Sequence, residues 1–357
     1  MKEDQVVNTG KRAGIEQVSV GVVGAGGMGG MHAHNLQSRV AGASLAAIAD
    51  VDADRAGKIA GKNVPVFREA VEMIRDESVE AVVIASPSAT HAGLTQECLR
   101  LGKPVLCEKP LSTTAEDALE VVEAEVELGT KLVQLGFMRR FDRQHLAVKE
   151  VVDSGSIGAP LLFKGWHRNP HVMSSTATSE SVVIDSMIHD LDSVRWMSGS
   201  EIDEVYTRGM STRPDLEGAY DLQLTQMSVG GGVLATVEVY ITAEYGYEVG
   251  LEVVCESGTA HVAPFDEAVV RRDATLYQRI HTGPFARFQS AFVAEMERWT
   301  GAIQNGEQPD GPDAWDGYAA LMAAESCIGS LRSGSPQSVM MPERPALYSK
   351  EGSGVIR

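Results

Sequence analysis

Residues 24–29 read Gly24-Ala25-Gly26-Gly27-Met28-Gly29 and come directly after an apolar run at 18–23. A Gly-x-Gly-x-x-Gly sequence between a strand and a helix is typical of a dinucleotide-binding βαβ unit. The first glycine allows a tight turn, the second lets the backbone approach a pyrophosphate, and the third lets helix and strand pack closely. Alone the motif is weak evidence, because such a turn can also be purely structural.

An acidic residue at the end of the second apolar run strengthens this interpretation. A carboxylate at Asp50 can accept hydrogen bonds from both ribose hydroxyls and would repel a 2′-phosphate, which predicts NAD rather than NADP. The alternative is that Asp50 only caps the next helix, although Asp52 and Asp54 could serve equally well. Arg55 is the nearby residue that leaves NADP open.

Short apolar runs alternate with helical patterns up to about residue 140, which predicts a doubly wound parallel sheet of the Rossmann type. The predicted strands are 18–23, 44–49, 81–85, 104–107 and 131–135, and the predicted helices are 29–38, 54–61, 67–75, 90–101 and 114–128. The later sequence is richer in β patterns and indicates a second α/β domain with an antiparallel sheet. Its predicted strands are 160–166, 201–210, 220–228, 232–242, 247–255 and 258–262, followed by helices near 285–305 and 313–331 and a short strand at 338–341.

The pattern divides the chain into four parts. We predict a flexible polar extension at 1–16, a dinucleotide-binding domain at 17–141, a substrate-binding and oligomerisation domain at 142–341, and a tail at 342–357. The extension lacks the apolar run of a signal peptide, and no stretch approaches the roughly 18 apolar residues of a membrane span. We therefore expect a cytoplasmic enzyme.

Composition restricts the classes of partner. The formal net charge of −18 argues against nucleic acid or an anionic membrane as a main partner. The four cysteines have no metal-like spacing and are interpreted as reduced, small apolar residues (Cys98, Cys107, Cys255 and Cys327). The histidines show no HExxH spacing, and no metal site is predicted.

The octet at 185–192, Asp-Ser-Met-Ile-His-Asp-Leu-Asp, carries the chemistry. On a helix, Asp185, His189 and Asp192 would lie along one face. A histidine flanked by carboxylates is suited to accept a proton and carry the resulting charge, while a dinucleotide takes the matching hydride. The alternative is an amphipathic helix with a structurally satisfied histidine.

Two loops should border the cofactor, because ligands of a doubly wound sheet meet the carboxyl ends of its strands. One follows the third predicted strand and contains Ser86, Pro87 and His91; it could also be an ordinary turn. The other contains Glu108, followed by Lys109 and Pro110, and ends the fourth strand. Proline restricts the preceding lysine to extended or turn conformations, with a cis bond open to it. The alternative is a solvated Glu-Lys pair.

Further strings accompany these motifs, namely GFMRRFD at 136–142, HRNP at 167–170, EYGY at 244–247 and AWDGY at 314–318. Together with Glu-Lys-Pro and Asp-x-x-x-His, they resemble the glucose–fructose oxidoreductase and inositol dehydrogenase (Gfo/Idh/MocA) family, and within it the bacterial myo-inositol 2-dehydrogenases. The resemblance covers the chain from about 17 to 332. It implies a Rossmann domain, a C-terminal domain with an open, mostly antiparallel sheet, and a tetramer formed through that sheet.

The resemblance also implies an activity, the NAD-dependent oxidation of a cyclic polyol such as myo-inositol to its 2-keto inosose. Lys109, Asp185 and His189 would form the catalytic group. Four further residues would lie near the polyol (Arg139, His167, Asn169 and Tyr247). Tyr245 and Tyr247 alternate along a strand, so at most one should face the substrate.

The segment at 171–181 departs from the inositol dehydrogenase pattern and is expected over the substrate, which leaves the stereoisomer open. Other activities on the same fold are oxidation of scyllo-inositol, another cyclitol or a sugar, or cycling of a tightly held cofactor between two sugars. A non-catalytic dinucleotide sensor is the alternative outside catalysis.

Overall fold

The computed structural model of the chain describes residues 17–170, 178–216, 218–263 and 268–349. The extension predicted at 1–16, most of the segment expected over the substrate and the end of the C-terminal tail lie outside the described residues. No helix in the described ranges is long and apolar enough to cross a membrane.

The first sheet has six parallel strands in the order β3-β2-β1-β4-β5-β6. They are β1 Val18–Val23, β2 Ala43–Ala49, β3 Val66–Phe67, β4 Ala81–Ile84, β5 Val105–Cys107 and β6 Val133–Leu135. The helices between them are α1 Gly27–Ser38, α2 Ala53–Ala60, α3 Ala70–Arg75, α4 His91–Arg100 and α5 Ala115–Leu128. Strand order reverses between β1 and β4, so their carboxyl ends open a crevice for a ligand. The predicted Rossmann fold is confirmed.

The second sheet has seven strands in the order β12-β11-β7-β10-β9-β8-β15, of which only the β7–β10 pair is parallel. The strands are β7 Pro160–Arg168, β8 Ile202–Met210, β9 Leu222–Val229, β10 Val233–Tyr240, β11 Glu248–Cys255 and β12 Thr259–Val262, then β13 Val269–Arg272 and β14 Thr275–Gln278 in a separate hairpin, and β15 Gln337–Ser338. The helices are α6 Arg143–Asp153, α7 Ser179–Val182, α8 Ile188–Ser198, α9 Pro284–Asn305 and α10 Ala314–Ser333. The open, mostly antiparallel sheet is confirmed.

The two last long helices join the two sheets. Met296, Trp299 and Ile303 of α9 belong to the same buried cluster as the apolar residues of β1 and β2. Helix α10 packs against α5 on one side and β8 on the other. Late elements of the sequence therefore brace the nucleotide-binding sheet, and the crevice lies at the seam between the two sheets.

Several sequence expectations need correction. The helix expected at 67–75 begins only at Ala70, because Val66–Phe67 pair with β2 as a short strand. The tail strand expected at 338–341 is Gln337–Ser338. Helix α6 and the β13–β14 hairpin were not predicted.

Candidate active site

The glycine loop has the geometry that its sequence predicts. Gly24 adopts a positive φ of 95°, and a Cβ there would lie 2.5 Å from the Ala85 carbonyl oxygen. A Cβ on Gly29 would lie 1.8 Å from the Gly24 carbonyl oxygen, so the helix crosses its own turn too closely for any side chain. Around Gly26, no neighbouring atom of the described residues lies within 4 Å of such a Cβ. The chain therefore leaves this side of the α1 N-terminus open, as a bound pyrophosphate requires.

Asp50 lies beside the glycine loop. Its Oδ2 accepts the Ala25 N–H at 2.6 Å, and its Oδ1 accepts the Asp52 N–H at 2.8 Å and the Arg55 guanidinium at 2.7 Å. Partial burial opposes ionisation, but the hydrogen bonds outweigh it and lower the pKa of Asp50. Asp52, not Asp50, caps α2 by accepting the Arg55 backbone N–H. A carboxylate at this edge fits the ribose of an adenosine, and Arg55 is held against it.

The two loops predicted to border the cofactor lie next to each other. The first touches the glycine turn, since Ala85 and Ser86 crowd Gly24. His91 is 2% exposed, with Nδ1 2.7 Å from the Pro110 carbonyl oxygen and Nε2 2.9 Å from the Ser86 carbonyl oxygen. Both ring nitrogens therefore contact backbone and not the crevice.

The Glu108-Lys109-Pro110 loop is not a solvated charged pair. Glu108 is 6% exposed, and its Oε1 lies 2.7 Å from His32 Nε2. The Lys109-Pro110 bond is cis. The Lys109 Nζ donates to the Asp185 carbonyl oxygen at 2.8 Å, which connects this loop to the segment that carries His189.

His189 lies just after a turn of π-helix, Val183–Met187, at the start of α8. The imidazole is 8% exposed, and its Nδ1 has no hydrogen-bond partner among the described residues. Burial, followed by the positive charges of Lys109 and Arg139, holds the pKa of His189 well below its ordinary value. The ring is therefore neutral near pH 7 and able to accept a proton.

The predicted stripe of carboxylates around His189 is not kept, because Asp192 joins an arginine network and a π-helical turn at Val183–Met187 changes the helical spacing of Asp185. Asp192 is 1% exposed and accepts from Arg140 Nε at 3.0 Å, within a buried network that includes Asp316 and Arg195. Residues three apart in an α-helix differ by about 60° around the helix axis. The contacts with the arginines hold the Asp192 side chain in that network. Asp185 is exposed and contributes its backbone carbonyl to Lys109.

The residues predicted near the polyol converge on a buried carboxylate that sequence reasoning missed. Asp190 accepts from Arg139 Nη1 at 2.6 Å, and its Oδ2 lies 3.2 Å from His167 Nδ1. Tyr247 stands edge-on to the His167 ring at 5.8 Å. The signal available for Asp190 was its position directly after His189 in a short run of acidic residues.

Two further predicted polar residues, Asn169 and Tyr245, differ in exposure. Asn169 is 7% exposed, and its amide donates to Ser186 Oγ at 3.4 Å. Tyr245 is half-exposed and hydrogen-bonds Glu248, whereas Tyr247 is buried. The two tyrosines thus face different surroundings, as their alternation predicts.

The arrangement can stabilise a negative charge and remove a proton. Lys109, Arg139 and His167 all act on His189 electrostatically. An oxygen near them would be stabilised as it loses its proton, because a buried cation acts more strongly than one in water. With a hydride acceptor beside them, these groups suit the oxidation of an alcohol.

Comparison with known proteins points the same way. Residues 18–137 match the model of an oxidoreductase family with an NAD-binding Rossmann fold, and residues 145–261 match the GFO/IDH/MocA C-terminal domain. The chain is 56% identical over 342 residues to an inositol 2-dehydrogenase of Rubrobacter xylanophilus, covering 95% of this chain and 98% of that protein.

Two solved structures from Lactobacillus casei are also similar. Its myo-inositol dehydrogenase, in complex with NAD(H) and myo-inositol, has a TM-score of 0.89 and 31% identity, covering 93% of this chain and 100% of that one. Its scyllo-inositol dehydrogenase, with NAD(H) and scyllo-inositol, has a TM-score of 0.85 and 27% identity, covering 90% and 99%.

Proposed function

The chain belongs to the Gfo/Idh/MocA family of NAD-dependent oxidoreductases, and on that premise we propose that it oxidises myo-inositol to the 2-keto inosose. His189 would serve as general base. The observation that carries the proposal is the contact between Lys109 Nζ and the Asp185 carbonyl oxygen at 2.8 Å, because it brings the ammonium beside the segment holding a neutral, buried imidazole.

Bound NAD⁺ supplies the acceptor for the hydride that leaves the carbinol carbon. The neutral His189 takes the hydroxyl proton, so the C–O bond becomes a carbonyl as the C–H bond breaks. Lys109 donates a hydrogen bond to the reacting oxygen and stabilises its developing negative charge. Asp185 orients the substrate from its exposed position at the crevice.

A cyclic polyol fits the polar groups around this centre. A ring with many hydroxyls needs several donors and acceptors, and a site built to pair them rejects analogues that lack them. Arg139, His167 and Asn169 supply such groups, with Arg139 and His167 held by Asp190. The myo isomer is favoured because the myo-inositol dehydrogenase from Lactobacillus casei has the higher identity and TM-score of the two structures compared.

The second candidate substrate is scyllo-inositol, because the fold also matches a scyllo-inositol dehydrogenase at a TM-score of 0.85. Rates of NADH formation with myo-inositol, scyllo-inositol, chiro-inositol and glucose distinguish the candidates. We expect the highest kcat/KM with myo-inositol, and mass and NMR spectra of the product should show the 2-keto inosose. A higher value for any other member of the panel would overturn the substrate assignment.

The role of His189 is tested separately by His189→Ala. Turnover should fall by about a hundredfold or more, in the range of general-base loss, while NADH binding persists. His34→Gln is the matched control, since His34 is exposed on the outer surface of α1. Near-normal turnover in His189→Ala would refute the assignment.

We also propose a cytoplasmic homotetramer. The side of the second sheet that bears Leu224 and Leu234 leaves these side chains 47% and 56% exposed, and partner subunits would cover them. Light scattering should give four times the chain mass of 38.2 kDa. A monomer at micromolar concentration would contradict the proposal.

A further inference from the structure

Both ring nitrogens of His91 contact backbone carbonyl oxygens, so a direct contact with the cofactor does not explain this residue. It opens α4, is 2% exposed, and places its two ring nitrogens on two carbonyl oxygens, Ser86 at 2.9 Å and Pro110 at 2.7 Å. Carbonyl oxygens only accept hydrogen bonds, and a neutral imidazole has one N–H and one lone pair. In the neutral form one nitrogen would therefore press a lone pair against an oxygen in a buried site.

We propose that His91 is a doubly protonated imidazolium that clamps the loop after β4 to the Lys109-Pro110 turn, and so positions the nicotinamide side of the crevice. One carbonyl belongs to Ser86, whose loop touches the glycine turn. The other belongs to Pro110, the residue after Lys109. A single buried cation thus sets the separation of two loops that come from different strands. The proposal does not depend on the identity of the substrate.

The surroundings contain opposing influences. Burial disfavours the charged ring most, and the positive end of the α4 dipole disfavours it too. Among the described residues, Cys107 on β5 is the titratable side chain that acts on His91, and both its electrostatic interaction and a side-chain hydrogen bond favour the charged ring. Together with the two carbonyls it raises the pKa of His91 to about 9. Cys98, which faces Cys107 from α4, stays a thiol because burial raises its pKa to about 12.

The contribution of the His91 clamp should be lost at alkaline pH. A group whose pKa is raised in the folded protein keeps its contribution at low pH and loses it as the pH rises through the folded value. The clamp is therefore complete at pH 7.5 and is lost between about pH 8 and 10. The charged groups that act on Lys109 are Asp185, Glu108 and Arg139, and His91 is not among them. Lys109 and His91 therefore titrate separately.

Neutron diffraction from wild-type crystals grown at pD 7.5 tests the protonation state directly. We expect a deuteron on both Nδ1 and Nε2 of His91. A deuteron on one nitrogen only would overturn the proposal. This measurement needs no variant, so it holds even if substitutions at this buried position prevent folding.

NADH binding tests the positioning role in solution, by fluorescence titration of wild type, His91→Gln and the surface control His34→Gln. Glutamine cannot donate from two separated nitrogens, so we expect binding about tenfold weaker at pH 7.5, the equivalent of one lost hydrogen bond. Between pH 8 and 10, binding by the wild type should weaken more steeply than binding by His91→Gln, because any titration of Lys109 affects both proteins whereas that of His91 affects the wild type alone. Parallel pH profiles in the two proteins would overturn the proposal.

Discussion

Substituting alanine for each of two glycines of the same loop should separate folding from cofactor binding. A Cβ at Gly29 would meet the Gly24 carbonyl oxygen at 1.8 Å, whereas a Cβ at Gly26 has no atom of the described chain within 4 Å. The chain therefore forbids a side chain at Gly29. At Gly26 the chain leaves room for a side chain, and only a bound pyrophosphate would exclude one.

The stability change follows from these distances. In Gly29→Ala the Cβ would lie 1.2 Å closer to the Gly24 carbonyl oxygen than the 3.0 Å below which real Cβ contacts are essentially never found. That oxygen belongs to the backbone and cannot rotate away. Such overpacking costs about 3 kcal/mol or more. Gly26→Ala replaces a tolerable helix N-cap residue with a poorer one at extended backbone, φ −74° and ψ −164°. That change costs about 1 kcal/mol at most.

For NAD⁺ binding we expect the opposite order, with Gly26→Ala affected more than Gly29→Ala. A methyl group on Gly26 would push the pyrophosphate from the N–H groups that open α1. Losing one hydrogen bond to a charged group costs about 1.5–3 kcal/mol, which corresponds to about tenfold to a hundredfold weaker NAD⁺ binding. Gly29→Ala should lower binding only in proportion to the protein that unfolds.

Urea denaturation and calorimetric titration with NAD⁺ measure the two quantities on the same samples. Gly93→Ala is the matched control, because Gly93 lies exposed within α4 and its Cβ position has no neighbour within 4 Å in the part of the chain that the structure describes. It should bind normally and gain up to about 1 kcal/mol of stability. Tight NAD⁺ binding by Gly26→Ala, or a fully stable Gly29→Ala, would refute the reasoning.

Three other perturbations have defined outcomes. Asp50→Ala should lower kcat/KM with NAD⁺ about tenfold or more while that with NADP⁺ does not fall, because the carboxylate that meets the ribose also repels a 2′-phosphate; an unchanged cofactor ratio would contradict this. The acid limb of kcat/KM for the polyol, measured at saturating NAD⁺, should lie below pH 6.5 because the pKa of His189 is depressed. The alkaline limb should lie below 10.5, follow Lys109 and vanish in Lys109→Arg, since saturating cofactor removes the effect of His91 on dinucleotide binding. An acid midpoint above 6.5 would exclude this assignment. Asp192→Asn should cost about 1.5–3 kcal/mol in urea denaturation, because Arg140 loses one of its two carboxylate partners and keeps Asp316, with substrate KM unchanged; a large KM change would restore Asp192 to the site.

The nucleotide-binding half was readable from sequence because each of its signals is local. The glycine spacing, the acid at Asp50 and the alternation of apolar runs depend on residues near in the chain. The predicted strands up to residue 135 therefore appear within one or two residues of their observed bounds. The exception, β3, has two residues and owes its form to pairing with β2, which no local pattern encodes.

The site was less predictable because its partners are distant in sequence. Asp192 lies 52 residues from Arg140 and Asp190 lies 51 residues from Arg139, so only the fold decides which acid serves which arginine. The π-turn before α8 also shifts the face that helical spacing assigns to Asp185. Helix α6 did carry a local signal, an N-cap at Asp142, which accepts the His145 N–H.

The charge of the site argues for a neutral substrate. Although the chain carries a net charge of −18, positive groups gather around His189. Arg139 is already compensated by Asp190, and His167 shares the same carboxylate. This leaves the Lys109 ammonium to meet the single negative charge that develops as a hydroxyl is oxidised. A sugar acid or phosphate would engage that charge before reaction and gain nothing in the transition state, whereas an uncharged polyol gains the whole interaction as its oxygen loses the proton.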